Sequence, residues 1–505
     1  MARVAARLPP AVADIKPARN VAVLEPLLWG LGSALLRIPF FPLTEQDIDG
    51  ANFARAVEHF DIAAWAPHPP GYPLLIAAGK LVRALVSTDA SRSLAVFSLL
   101  CSALLATSVF VVMHRLFNKA TARLSIALLF ASPLLCLFAV RPLSDGPGAG
   151  LAWASLACAL VAAACEEDGK RDRYACFSLF FAALLPGVRL SALPFVVPAV
   201  VSALCAARRP KRVFLVGVFS LLAWLLPFLA LVDLRVLTGR TLGHIHGHFY
   251  EYGGSVLSAS DPVARGIALF RALFAFGLGG VWSDRPVTTL FVTAALVLLA
   301  GGAFHSLRQT PVLARRTFLA CVGLYLVWVV LGQNIIEQPR HVLPLIPALL
   351  GPLAHSILHI SRSPRFGFLR RLLIWVGFCA AVFEANRLAW IQARYPAPIV
   401  RIARFCEAQP DAPTLVVATY RFYRWIGWRA PHVRVESVGS LEDAIALAAR
   451  TQGRVLVTSE VPGAERLDPA ATELRVSTDL FVRFVLEDVR LIDLRNGLHA
   501  KPTPK

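Results

Sequence analysis

Apolar runs of about twenty residues recur along this chain, and they constrain its fold more than any other feature. A run of that length matches the hydrocarbon core of a bilayer. Backbone polar groups must bond internally there, so each run reads as a membrane-spanning helix. Candidate spans fall at 21–41, 92–113, 124–140, 147–165, 174–187, 189–207, 213–233, 286–305, 317–333, 341–360 and 371–391, eleven in all. Of the 505 residues, 56% are hydrophobic and 16% charged, and the repeated runs exclude a soluble globular protein.

The net charge of +19 would point a soluble protein toward nucleic acid. Here the basic residues cluster between apolar runs, as positive cytoplasmic loops do, and no nucleic-acid partner is expected. The clusters are Arg115, Lys119 and Arg123; RRPKR at 208–212; Arg308, Arg315 and Arg316; and Arg362, Arg365, Arg370 and Arg371. Eleven spans put all four on the cytoplasmic side. That count keeps 71–87 and 264–280 from spanning, because Lys80 and Arg83 lie in the first and Arg265 and Arg271 in the second. Both read as interfacial or re-entrant helices.

The basic residues 1–20 read as a cytoplasmic N-terminus with no leader of their own, and 21–41 as an uncleaved first helix. The transmembrane domain then occupies 21–392, with external loops at 42–91 and 234–285. Composition changes over 393–505. TLVVAT (414–419), SLEDAIALAARTQ (440–452) and RVLVTSE (454–460) read as strand, helix, strand, and 483–494 as one or two further strands. The expected fold is an all-α polytopic membrane protein with interfacial helices and a small external C-terminal α/β domain. The nine cysteines form no CxxC and no disulfide framework, and no Gly-rich nucleotide motif accompanies the C-terminal strands.

The residues able to do chemistry gather on the external side. Asp47 and Asp49 follow the first span, and the plain alternative is two solvated loop acids. Phe53, Val57 and Phe60 recur at helical spacing, so 51–60 is expected to lie on the membrane with Asp49 near its N-cap. A carboxylate held there could take a proton from an incoming hydroxyl. Asp145, in Ser-Asp-Gly-Pro, is expected to cap the fourth span and to lie at the level of Asp49, and two such acids suggest either a base with an orienting partner or a metal site. Arg189, at a turn between two apolar runs, and Arg340, in QPRHVLPLIP, are either snorkelling interfacial arginines or a phosphate clamp. His68 sits in a His-Pro-Pro-Gly-Tyr-Pro turn. His244, His246 and His248 read as one face of a strand, with Glu251 close by. A zinc site is the weaker reading of that run, and a polar loop touching substrate the better one.

This ordered pattern resembles the GT-C superfamily of membrane glycosyltransferases over roughly 20–390. Within it, the chain looks most like the branch related to protein O-mannosyltransferases and to the aminoarabinose transferases that modify lipid A. The likeness lies in the loop-one acid, the HPPGYP turn, RLFNKATAR, RPLSDGPG, PGVRLSALP and QPRHVLPLIP, in that order. It implies a GT-C fold and an inverting transfer of sugar from a polyprenyl-phosphate donor to an acceptor hydroxyl on a glycan, lipid or protein. It implies Asp49 as base or orienting group, Asp145 as second acid, Arg340 on the donor phosphate, and Arg189 as a weaker match for that role. Gly50 follows Asp49 where many relatives carry adjacent acids, so no metal and no other cofactor is assigned. There is no WWDYG, which argues against an oligosaccharyltransferase. The expected location is a bacterial inner (plasma) membrane, as part of cell-envelope glycan synthesis. The rival readings are a polyprenol-linked lipid flippase or transporter, with Glu384 as its deep acid, and a non-catalytic glycolipid-assembly subunit.

Overall fold

Proline and charge decide which apolar runs remain single helices. The computed structural model describes residues 24–86, 88–259, 261–308, 310–362, 367–408, 414–483 and 488–498. The basic segment 1–20 and Arg365 lie outside the described residues. The chain opens with α1 (Leu24–Leu35), α2 (Ile48–Glu58), α3 (Pro73–Val86) and the long α4 (Ala90–Leu116). Asp89 starts α4, its carboxylate accepting from Arg92 N at 2.9 Å, and no Gly or Pro interrupts the 27 residues that follow. The run 124–140 does not stay one helix. Pro133 lacks a backbone N–H and begins a new helix, so α5 (Lys119–Leu129) and α6 (Pro133–Phe138) take the place of the expected single span.

Next come α7 (Asp145–Ala164), α8 (Asp168–Arg189), α9 (Leu193–Ala206), α10 (Pro210–Leu231), α11 (Leu234–His246) and α12 (Pro262–Arg271). The bundle closes with α13 (Thr289–Arg308), α14 (Val312–Gly332), α15 (Ile346–Arg362) and α16 (Phe368–Arg394). Among the described residues, seven stretches are long and apolar enough to cross a membrane. They are α4, α7, α8 with α9 as one run, α10, α13, α14, and Pro339–Arg362, which ends in α15. The protein is therefore a multi-pass membrane protein. The 14 residues of α3, and the 10 of α12 with the 6 of the π-helical segment Ala272–Gly277 that continues it, fall short of a span, in keeping with their interior charges.

The buried centre is α7, which packs on α4, α8 and α9. Its glycines permit this. A Cβ on Gly150 would lie 2.5 Å from the carbonyl oxygen of Cys101 on α4, and one on Gly148 would lie 2.8 Å from the Arg189 side chain.

The C-terminal domain is α/β, as expected. After α17 (Pro398–Glu407) come β1 (Thr414–Ala418), α18 (Tyr420–Arg429), β2 (Arg434–Ser437), α19 (Leu441–Ala449) and β3 (Arg454–Thr458). They are followed by β4 (Thr472–Ser477), α20 (Leu480–Arg483), β5 (Asp488–Asp493) and α21 (Leu494–Leu498). The sheet order is β2-β1-β3-β5-β4, with the first three parallel and the last two antiparallel to their neighbours. Alternation along β1 buries both faces. Val416 and Ala418 meet the α17 and α18 side, while Leu415 and Val417 meet α19. Among the described residues of 483–494 there is one strand, β5, with Arg483 in α20 before it.

One expectation fails instructively. Helix α2 does not lie on the membrane, and Asp47 rather than Asp49 is its N-cap, accepting from Gly50 N at 2.8 Å. Phe53, Ala54, Ala56 and Val57 join the core of the helical bundle, while Ala51 joins the core of the C-terminal domain. The bundle covers the face that an isolated loop helix would have laid on lipid, and the C-terminal domain covers the opposite side. The domain is fastened there by Glu45, which is fully buried and accepts from Trp425 Nε1 at 2.5 Å, Arg429 Nε at 2.9 Å and Ser91 Oγ at 2.9 Å. Trp428 Nε1 donates to Glu58 at 3.0 Å, and Arg424 Nη1 to the Ala64 carbonyl at 3.2 Å.

Candidate functional site

Two helix starts and one helix break deliver the charged groups. Asp47 and Asp49 open α2, and Asp145 opens α7 behind the buried Ser144. The extended backbone of Arg189 (φ −157°, ψ 93°), three residues past the Pro186 inside α8, ends that helix and turns Arg189 inward, 6% exposed. Arg340 lies in the 3-10 turn Pro339–Leu345 that leads into α15.

These groups meet. Arg340 donates to Asp47 through one nitrogen and to Asp49 through another, and its Nε lies 3.7 Å from Asp145. Arg189 reaches Asp145 at 2.8 Å, Ser144 Oγ at 2.9 Å and His341 Nδ1 at 2.9 Å. Because a guanidinium only donates, His341 Nδ1 is an acceptor and the ring is neutral, with its proton on Nε2. Three aspartates thus share two arginines across two segments nearly a hundred residues apart.

His68 Nδ1 stands 3.7 Å from Asp49, and its Nε2 lies 3.0 Å from Tyr72 Oη. Burial lowers the basicity of His68, and Arg340 and Arg189 lower it further against the pull of Asp49, so the ring is neutral near neutral pH. Burial raises the Asp47 carboxyl above its usual range despite Arg340. Burial works against the charged form of Asp49 too. There, His68, which carries its charge in the acid range where this carboxyl titrates, and Arg340 prevail and hold the carboxyl down to about 2. Asp49 is therefore ionised at any physiological pH.

All of these groups line one cavity of about 880 Å³. An aromatic wall faces them. The Trp65 ring stands edge-on to His244 at 5.7 Å and to Tyr420 at 6.5 Å. Trp65 holds a left-handed backbone (φ 59°), uncommon for so bulky a residue. The reciprocal backbone bonds between Asp61 and Ala66, at 2.6 and 2.8 Å, fix the loop around it.

The structure brings Asp47, Asp49, His68, Asp145, Arg189, His244, His248 and Arg340 to this cavity, and leaves His246 and Glu251 out of it. The strand expected for the histidine run is instead the end of α11 and a π turn. At helical spacing His244 and His248 face inward, while His246 points away and meets Glu251 at 3.1 Å. Burial draws His244 down to about 4. Among the described residues, no group of three or more His, Cys, Asp or Glu is arranged to hold a metal ion.

The sequence reading missed the part of the wall that comes from the C-terminal domain, namely Tyr420, Arg421, Arg424 and Trp425 on α18, with Arg483 on α20. The signal was present in YRFYRWIGWR, a basic and aromatic run too rich in both for a solvated helix.

Comparison with known proteins places these observations. Several solved structures are similar at low identity, two of them as follows. ArnT from Cupriavidus metallidurans bound to undecaprenyl phosphate has a TM-score of 0.49 and 13% identity, over 93% of this chain and 97% of that one. The archaeal oligosaccharyltransferase AglB from Archaeoglobus fulgidus, in complex with an inhibitory peptide and a dolichol-phosphate, has a TM-score of 0.48 and 12% identity, over 86% of this chain and 69% of that one. No curated protein sequence matches. Residues 60–213, which include the HPPGYP turn, Asp145 and Arg189, match the family described as Protein O-mannosyl-transferase TMEM260 N-terminal domain. Over that stretch the chain is similar to a protein O-mannosyl-transferase, which bears out the resemblance to membrane glycosyltransferases that its motifs carry.

Proposed function

We propose that this protein is an inverting glycosyltransferase that moves a sugar from a polyprenyl-phosphate-linked donor to an acceptor hydroxyl at the external face of the membrane. The observation that carries the reading is the convergence of Asp47, Asp49 and Asp145 on Arg340 and Arg189 inside one cavity, beside an aromatic wall. The match of 60–213 to a protein O-mannosyl-transferase domain supports sugar as the transferred group.

In the step, the acceptor hydroxyl oxygen attacks the anomeric carbon and the bond from that carbon to the phosphate oxygen breaks. The hydroxyl proton passes to Asp49, and the lipid phosphate leaves toward Arg340 and Arg189. Phosphate is a competent leaving group as it stands, so positioning and charge stabilisation carry most of the work. The shared guanidinium couples binding to basicity. A phosphate that draws Arg340 toward itself removes a counter-charge from Asp49, whose carboxylate is then more basic when the hydroxyl must lose its proton. Asp145 keeps Arg189 aimed at the cavity, and Trp65 and Tyr420 offer flat faces to a sugar ring.

The transporter reading loses its main residue. Glu384 is buried but fully engaged, with Arg285 at 3.4 Å and Arg387 at 2.8 Å, and Arg387 goes on to Asp479 at 3.0 Å. A carboxylate held by two arginines is a fastening between α16 and the C-terminal domain rather than a proton or ion relay.

Sealed membrane vesicles test both the reaction and its face. With a prenyl-phosphate-linked hexose in the membrane and an impermeant extract of cell-surface proteins and glycans outside, right-side-out vesicles are expected to form product and inside-out vesicles none. Product from inside-out vesicles alone would move the chemistry to the cytoplasmic face. Product from neither, across a panel of donors with mannose first, would remove the transferase reading.

A further inference from the structure

Arg483 differs from the other buried arginines of the cavity. Arg340 faces three carboxylates, and Arg189 faces Asp145, Ser144 and His341. Arg483 lines the same cavity, is 3% exposed, and faces no acid within ion-pair distance among the described residues. Its Nη2 donates to the Tyr395 carbonyl at 2.6 Å, while Nε and Nη1 are buried with no hydrogen-bond partner. The acid whose charge bears on it is Asp47, already committed to Arg340 and to Gly50 N. A buried guanidinium with a carbonyl as its one partner has its charge unanswered and two donors open, which is strongly unfavourable unless an anion completes it.

The position is also built rather than incidental. Phe481 and Val482, the residues just before Arg483, are buried against the helical bundle. The Phe481 ring meets the Phe276 ring at 4.3 Å and lies under the Arg285 guanidinium at 4.3 Å, and Arg141 donates to the Val482 carbonyl. Helix α20 is thus pinned into the bundle, and the side chain that follows the pin faces the cavity.

We propose that Arg483 binds a phosphoryl group in this cavity, so that the C-terminal domain supplies an anion-binding residue of the site. A phosphoryl group suits the arrangement better than a carboxylate. Its oxygens spread tetrahedrally and can be met at once by cations on different walls, here Arg483 from the C-terminal domain and Arg340 from the bundle. The identification of that group as the phosphate of the lipid donor rests on the transferase reading, and the presence of a phosphoryl site does not. It follows that a chain lacking the C-terminal domain has an incomplete site.

The test uses the full chain in nanodiscs of neutral lipid, with decaprenyl phosphate, decaprenol and inorganic phosphate as probes and the fluorescence of the cavity tryptophans as readout. Decaprenyl phosphate is expected to bind saturably and at least about tenfold more tightly than decaprenol. Arg483→Gln keeps a donor for the Tyr395 carbonyl and removes the charge. It is expected to weaken decaprenyl phosphate about tenfold or more, the loss of one charge-assisted hydrogen bond, and to leave decaprenol unchanged. Arg483→Lys should fall between the two. Inorganic phosphate binding as tightly as decaprenyl phosphate, and equally dependent on Arg483, would support the phosphoryl site and assign it to free phosphate. A folded Arg483→Gln protein, judged by an unchanged thermal midpoint, that binds decaprenyl phosphate as the wild type does would overturn the proposal. Should the wild type bind decaprenyl phosphate through Arg483 yet transfer no sugar, the phosphoryl site stands and the transferase reading falls.

Discussion

Asp49→Asn is expected to lower sugar transfer by about two to four decades, the usual range for loss of a general base, while leaving the protein folded and inserted. The carboxylate is open to the cavity, stands beside His68, and shares Arg340 with Asp47. The substitution keeps size and removes the proton acceptor. Asp47→Asn should cost much less. An Asn side chain can still accept from Gly50 N and cap α2, so the main loss there is one contact to Arg340. Initial transfer rates of the two variants, measured at matched protein level in membranes, decide between the acids. Loss of transfer in Asp47→Asn with transfer retained in Asp49→Asn would give the role to Asp47, the acid whose basicity burial already raises.

Arg340→Ala carries the second large effect, and it acts on two quantities at once. Its removal leaves Asp47, Asp49 and Asp145 facing one another without their shared cation. Breaking a buried pair in this way destabilises by about 3–5 kcal/mol, which should appear as a lowered thermal midpoint of the detergent-solubilised protein. Adding Asp47→Asn to Arg340→Ala should restore part of that stability, because it removes one of the uncompensated charges. The two substitutions are thus non-additive with the sign of a shared interaction. Donor use is the separate quantity. In the stabilised double variant the apparent donor requirement should rise far more than the acceptor requirement, and Arg340→Lys should lose donor use only in part, since it keeps charge without the planar fork. A double variant that is stable and titrates donor normally would make Arg340 a structural counter-ion for the aspartates and nothing more.

Much of this site was legible in the chain because its signals are local. Asp47 and Asp49 precede an amphipathic run, Asp145 stands at a helix start, and Arg189 follows Pro-Gly-Val. Each of these local rules places one charged side chain near the end of an apolar segment, and the bilayer then brings such ends to a common level. That Arg340 answers Asp47, Asp49 and Asp145 together could not be read, because the pairing spans almost three hundred residues and depends on which helix ends become neighbours. The histidine run departs from the expected strand for a different reason. HIHGH satisfies a period of two as well as it does a helix end, and the helix prevails because Asp233 caps α11 by accepting from Arg235 N and Val236 N.

The placement of α2 shows how tertiary packing overrides an amphipathic pattern. Spacing alone predicts a lipid-facing stripe at Phe53 and Val57. They face the bundle, and the C-terminal domain covers the opposite side through Ala51. The α/β character of that domain was readable from the alternation in its strands. Its docking was not, since it rests on Glu45, an acid with no periodic context whose partners Trp425 and Arg429 lie 380 and 384 residues away. Arg483 belongs to the same class of residue, because only burial without an acid makes it distinctive.

The central claim is that the aspartate–arginine cavity consumes a sugar carried on a lipid phosphate, and the composition of that lipid pool tests it most directly. Mass spectrometry of polyprenyl-phosphate-linked sugars should be compared in cells whose chain is wild type and in cells carrying Asp49→Asn at equal abundance in the membrane. The account predicts that one sugar-linked lipid accumulates in the Asp49→Asn cells and returns to its ordinary level when the wild-type chain is restored. An unchanged pool, with the Asp49→Asn protein present and folded, would contradict it.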